Sequence, residues 1–280
     1  TPSVSLHNNG DFITKGPWVD VRSFGAVGDG STNDTQAVLN AVSSLGSNPG
    51  IIYFPPALTF KLEDTDADGI AVLLSGKSNI SFIGDYTRII TSSNITIFQV
   101  QNSQNIKFSG LRLEDTYGSN GTYHSDSIGI SLRGLASGQG TSYVQIINSQ
   151  FKGFKYGMYG SGNLGGVTAP VEKITIDNSK FYDNYAGLFL EGYHTAGDAP
   201  YAKGSVDSWT ISKTKFDTNY KWGVWMESGS TKNSYYIQNV KFTESDFLNT
   251  VVEHGLYVQG RNHSFINSTF VNNNTAGIMS

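Results

Sequence analysis

The chain contains no cysteine, which excludes a disulfide framework, a thiolate zinc site and a cysteine nucleophile. Charge is also scarce: charged residues make up 15%, and Lys+Arg 19 against Asp+Glu 23 gives a formal net charge of −4. With no basic excess to neutralise phosphates, nucleic acid is excluded as a partner. Nowhere does the sequence hold the run of about 18 apolar residues that a membrane helix needs. Residues 1–15 likewise lack the basic start and apolar centre of a secretory leader, so neither a leader nor membrane insertion is expected. What is present is 38% hydrophobic and 12% aromatic residues with 32 glycines in 280 positions, enough for one large ordered domain rather than a disordered polymer.

That composition of short apolar stretches among Gly, Ser, Thr and Asn predicts repeats of strands and turns. An apolar residue followed five positions later by another recurs as Phe108/Leu113, Ile146/Phe151, Ile176/Phe181, Ile211/Phe216, Ile237/Phe242 and Phe265/Phe270. Successive first members lie 38, 30, 35, 26 and 28 residues apart, and Phe82 begins an earlier, less regular copy. After each pair comes glycine, apolar, variable, apolar, starting at Gly129, Gly157, Gly187, Gly223, Gly255 and Gly277. Alternation with period two marks half-buried strands, and no repeat holds a ten-residue helical pattern. A parallel β-helix with loops of variable length accounts for both blocks. Ahead of the repeats, Val38, Ala41, Val42 and Leu45 fall on one helical face, with Asn33 and Gln36 spaced as a capping box. A helix over 33–45 is therefore expected to cover the first turn of the solenoid.

The run V-D-V-R-S-F-G-A-V-G-D-G-S-T-N-D-T-Q-A-V, followed by G-I-I-Y-F-P-P, spans Val19 to Pro56. It closely resembles the N-terminal signature of the pectin-lyase-like right-handed β-helix superfamily, a group that includes phage tailspike depolymerases, glycoside hydrolases, and uronate lyases and epimerases. The resemblance implies an all-β, single-stranded right-handed parallel β-helix over residues 19–280 behind a short extension, 1–18. It also implies a polysaccharide ligand, a homotrimer, and an extracellular place, on a virion tail if phage-encoded. The N-T-D, D-D, G-H-G and R-I-K blocks of polygalacturonases are absent, as are the D-P-K-H-R block of alginate epimerases and the arginine-rich motifs of pectate lyases. These departures favour a tailspike-type hydrolase of a bacterial capsule or lipopolysaccharide glycan. A non-catalytic receptor-binding spike and a bacterial polysaccharide lyase are the alternatives. Phe265–Ser280 ends in a strand with no covering element, so the solenoid is expected to continue or to be covered by a partner.

Within each glycine-started strand the first and third residues after Gly are expected to face inward and the second and fourth outward. Stacking the turns then gives an outer column of Ser131, Tyr159, Phe189, Trp225 and Tyr257, beside one of Arg133, Ser161, Glu191, Glu227 and Gln259. Aromatic rings suit the C–H faces of pyranoses, while acids and amides suit their hydroxyls. The same column would equally serve as a contact between subunits. Glu191 and Glu227, a rung apart, are the candidate catalytic pair. Asp183 and Asp217 are candidate substitutes, although aspartates in such positions also cap turns. Trp222, His194 and His254 complete the candidate substrate contacts, with Phe189, Trp225, Tyr257, Gln259 and Arg133. No cofactor is expected. Asp64, Asp66 and Asp68 have the spacing that opens a calcium loop, but Ser75 stands where its bidentate glutamate belongs, so these residues read either as a structural calcium loop or as a hydrated acidic turn. Seven glycosylation sequons, Asn79-Ile-Ser81 among them, fit an Asn-rich turn composition equally well.

Overall fold

The computed structural model describes residues 4–6, 12–14, 18–135, 140–164, 169–192, 206–228 and 237–279. They form a right-handed parallel β-helix. One wall is a sheet of eight parallel strands, Ile70–Ser75, Thr96–Gln101, Ile128–Leu135, Tyr156–Leu164, Ala186–Gly192, Trp222–Ser228, His254–Tyr257 and Ala276–Met279. Each pairs with the equivalent strand of the next turn. The remaining walls are built from the strands bearing the five-spaced apolar pairs, in register as Phe108↔Ile146, Leu113↔Phe151, Ile146↔Ile176 and Phe151↔Phe181.

One rung of the expected repeat is displaced. Ile211 pairs with Phe242, not Ile237, and Phe216 pairs with Phe247. The pair on that rung is thus Phe242/Phe247, and Ile237 instead faces Val206. Apolar residues at 237, 242 and 247 satisfy the five-residue frame twice, and only the hydrogen-bonded register separates the two settings. The solenoid also begins earlier than the repeats reveal. Trp18–Asp20 pairs with Gly50–Tyr53, which pairs with the Phe82 strand, so the first rung starts at Trp18.

The core is a column of phenylalanines. Phe151, Phe181, Phe216, Phe247 and Phe270 stack at centroid distances of 4.5, 5.1, 5.2 and 4.6 Å, with planes within 13° of parallel. Beside this stack the strand-opening glycines have no room for a side chain. A Cβ on Gly187 would lie 2.6 Å from the Gly223 carbonyl oxygen and 3.0 Å from both Phe181 and Phe216.

Corners are set by residues in the left-handed region. Asn148, Asn178, Lys213, Glu244 and Asn267 take φ values from 45 to 52°. Asn148, Asn178, Lys213 and Glu244 each donate the backbone N–H to a carbonyl of the next turn. Asparagine tolerates this region best, which explains its abundance in the sequence. A second, buried asparagine ladder lies inside the next corner, where Asn184 and Asn219 are fully enclosed and bonded to each other.

The amphipathic helix (α1) covers Thr35–Ser44, shorter than the expected 33–45. Ala37, Val38, Ala41 and Val42 are buried, and α1 packs on the turn Val21–Phe24 and the strand Ile70–Ser75. The Asn33/Gln36 capping box does not form. Asn33 Oδ1 accepts from the Thr35 N–H, while Gln36 bonds Asn40 along the helix. The N-cap is Asp34, whose carboxylate turns away to accept the Val27 and Gly28 N–H groups at 2.7 and 3.2 Å. That use of the side chain ties the glycine-rich loop of the N-terminal signature to the cap.

Near the other end, His263 Nδ1 accepts the Val240 N–H at 3.3 Å and Nε2 faces the Gln259 carbonyl at 3.3 Å. Only neutral imidazole fits both bonds, and burial lowers its pKa below the ordinary histidine value. The folded chain therefore holds fewer protons here than the unfolded chain. This contribution to stability is complete above the ordinary histidine pKa and is lost as pH falls below it. Thermal melts from about pH 8 to about pH 5 should show a steeper loss for the native chain than for His263→Asn.

Candidate functional site

The outer face of the eight-stranded wall carries the expected columns. Ser131, Tyr159, Phe189, Trp225 and Tyr257 occupy successive rungs in register. Arg133, Ser161, Glu191 and Glu227 run alongside. A third column of Tyr156, Ala186, Trp222 and His254 is in register beside them, and its Tyr156 and Trp222 rings pack against Phe189 and Trp225.

The aromatic column is not the open strip that alternation predicts. Phe189 stacks on Trp225 at 4.1 Å and sits 4.8 Å from Tyr156 and 5.4 Å from Tyr159, while Trp222 stacks on Trp225 at 4.2 Å. The rings cover one another, so Tyr159, Phe189 and Trp222 are buried, while Tyr156, Trp225 and Tyr257 are half-exposed. Alternation sets the face a residue points to, whereas exposure depends on the size of its neighbours on the same face.

Beside this cluster opens a cleft of about 570 Å³, lined by Asp68, Asn94, Asp126, Arg133, Tyr156, Tyr159, Phe189 and Glu191 among others. The Tyr159 hydroxyl donates to Glu191 Oε2. Burial pushes the Tyr159 phenol well above its ordinary value and the Tyr156 phenol up to about 12, so both remain donors. Glu227, on the next rung, has its carboxyl raised above the ordinary value by lost hydration and then by the Glu191 charge.

Other sequence candidates fall elsewhere. Asp183 and Asp217 lie on a corner away from the cleft: Asp183 accepts from Thr218 Oγ1 at 2.8 Å, and Asp217 from Asn249 Nδ2 at 2.9 Å with Lys180 Nζ at 3.4 Å. Gln259 leaves the acidic column, with its side chain bonded to the Tyr257 hydroxyl and the Ser228 N–H. His254 is buried next to Trp222, and among the described residues neither His254 Nδ1 nor Trp222 Nε1 has a hydrogen-bond partner. Its neighbour Glu253 pairs with Lys221 at 3.1 Å, and the Lys221 ammonium lies 4.2 Å from the Trp222 ring centre. His194 lies outside the described residues.

Asp64, Asp66 and Asp68 bring ligand atoms within 4.8 Å of one another. Both Asp64 oxygens already accept backbone N–H groups, from Asp66 and Ala67 on one side and Gly69 on the other. Asp126 was not legible as a site residue. It lines the cleft from the connection after Gln104–Asp115, where the Ser125 hydroxyl donates to its carboxylate at 2.6 Å and its own N–H bonds Asn94 Oδ1 at 2.8 Å. The one available signal was the 38-residue spacing between Phe108 and Ile146, the longest in the chain, which marks an insertion there.

A family model described as rhamnogalacturonase A/epimerase, pectate lyase-like, matches residues 18–57, so the resemblance read from the N-terminal signature is upheld. No curated protein matches the chain in sequence. Solved structures similar in fold include ORF18 of Geobacillus virus E2, with TM-score 0.73 at 18% identity over 99% of this chain and 56% of that one. Another is the tailspike protein gp49 of Acinetobacter baumannii bacteriophage Fri1, a capsular polysaccharide depolymerase, with TM-score 0.60 at 15% identity over 98% of this chain and 48% of that one. A third is the catalytic unit of an alpha-1,3-glucanase from Streptomyces thermodiastaticus, with TM-score 0.58 at 16% identity over 93% and 42%. The chain thus spans about half the length of these structures.

Proposed function

We propose that the chain is a virion-associated or extracellular β-helix that cleaves a bacterial surface glycan by glycoside hydrolysis, with the Glu191/Glu227 pair as its reacting carboxyls. The observation that carries this reading is that the two glutamates stand in register on adjacent rungs beside an aromatic cluster, with Glu191 lining the open cleft. The fold it shares with a capsule depolymerase and a glucanase adds support.

Glu227, whose carboxyl is raised above its ordinary value, is the proton donor to the glycosidic oxygen as the bond to the anomeric carbon breaks. Glu191, oriented by the Tyr159 hydroxyl, is the group placed to meet the positive charge that develops at that carbon. Rungs ~4.8 Å apart suit the separation of about 5–5.5 Å found in retaining enzymes better than the wider inverting gap. Glu191 then forms a glycosyl ester, and Glu227, now a carboxylate, takes a proton from the water that releases it.

Incubation with a panel of purified capsular and O-antigen polysaccharides tests this. New reducing ends with retained anomeric configuration by NMR, and no unsaturated uronate absorbance, are expected. Unsaturated products would replace hydrolysis with elimination, and tight binding without products would leave an adhesin.

A further inference from the structure

Arg133 is the one cation lining the cleft, and among the described residues its guanidinium meets no carboxylate. Its Nε donates to Ser131 Oγ at 3.0 Å, and its Cζ lies 4.3 Å from the centre of the Tyr159 ring. These contacts fix the plane of the group, and among the described residues its two terminal nitrogens have no hydrogen-bond partner. Nearby cations are occupied differently: Lys221 pairs with Glu253, and the Lys155 ammonium lies 3.7 Å from the Tyr185 ring centre. A guanidinium fixed in plane, with its fork free, is the arrangement that recognises a planar oxyanion by two parallel hydrogen bonds.

The rest of the lining limits how much negative charge can enter. Asp68, Asp126 and Glu191 share the cleft with Arg133, so acids outnumber the cation. A polymer with a carboxylate on every sugar would meet repulsion along most of this surface, whereas a single anionic substituent seated at Arg133 would not. Arg133 and Glu191 occupy one column with Ser161 between them, which places them two rungs, about 10 Å, apart along the solenoid axis.

We infer that the glycan is mostly neutral and bears an isolated anionic substituent, a carboxylate or a sulfate ester, which Arg133 receives two rungs from Glu191 and three from Glu227. This rests on the reading of the face as a glycan site and adds the chemical class of the glycan.

The test uses acidic and neutral capsular polysaccharides and O-antigens with the native chain, Arg133→Met and Arg133→Lys. The glycan that binds tightest should carry a sparse acid. Carboxyl reduction, or solvolytic desulfation of a sulfated glycan, should weaken its binding by about 10- to 100-fold. Arg133→Met should lose the same factor on the untreated glycan and no longer distinguish it from the treated one. Arg133→Lys, which keeps the charge without the fork, should fall between, and the chemical arm decides the matter even if neither variant folds.

Polygalacturonate and alginate should bind weakly, and tight binding of either would overturn the requirement for an isolated acid. A neutral glycan bound as tightly as any acidic one, or a treated glycan bound undiminished, overturns the inference and leaves the glycan reading standing. Discrimination that persists in Arg133→Met removes Arg133 from it. Binding to no polysaccharide overturns both readings together.

Discussion

Replacing Glu227 with glutamine is expected to lower turnover of the glycan by about 10²- to 10⁴-fold while leaving its affinity within a few-fold. The amide is the same size as the acid and keeps the outward position beside Trp225 on its strand. Binding to the aromatic face is therefore retained, but no proton can reach the departing oxygen. The loss should shrink on an oligosaccharide with an activated aryl leaving group, which departs without protonation, because only the acid step has been removed. Glu191→Gln should lose as much or more on both substrates, since the group that meets the anomeric carbon is gone. Equal activity of the native chain and both variants on the same polysaccharide would remove the pair from the chemistry.

The largest expected effect on stability comes from the buried asparagine ladder. Asn219 is fully enclosed, its Oδ1 accepts from the Asn184 N–H at 3.2 Å and Asn184 Nδ2 at 3.1 Å, and its Nδ2 donates to the Phe181 carbonyl at 3.0 Å. Alanine there would remove the side-chain partner of the Asn184 N–H and of the Phe181 carbonyl where water does not reach, at about 1–3 kcal/mol each, and would leave Asn184 Nδ2 only its bond to the Phe151 carbonyl. Allowing for partial relaxation, Asn219→Ala should destabilise the chain by roughly 3–6 kcal/mol in urea or thermal unfolding. Asn178→Ala, at a corner where one side-chain bond reaches Asn148 at 2.8 Å and the backbone is left-handed, should cost about 1–2 kcal/mol, most of it backbone strain that alanine tolerates less well than asparagine. Similar losses in the two variants would show that the buried ladder carries no special share of the stability.

The difference between these two asparagines indicates what the sequence could and could not convey. Period-two alternation after each glycine places Phe189, Trp225, Glu191 and Glu227 on one face, because side-chain direction in a strand is local geometry. Register is different. Ile237 and Phe247 both satisfy the five-residue frame around Phe242, and which of them is used follows from pairing with residues about thirty positions away. Burial of the aromatic column was likewise hidden, since it arises from rings on three neighbouring strands closing over one another. Asp126 was hidden for a third reason: it sits in an insertion that follows no repeat, so nothing in the periodic pattern points to it. The capping box failed because Asp34, one residue on from Asn33, holds two loop amides through tertiary contacts that spacing does not encode.

The stacked indoles of Trp222 and Trp225 have an optical consequence. The chain has four tryptophans, and these two lie 4.2 Å apart on the outer face, while Trp209 is sealed in the core with its Nε1 bonded to the Val171 carbonyl. Indoles that close share their excited states, so their near-ultraviolet circular dichroism depends on the angle between them. A glycan pressing on Trp225 would alter that signal, with Trp209 as an internal reference. The face thus carries its own spectroscopic reporter, and occupancy can be followed without any label.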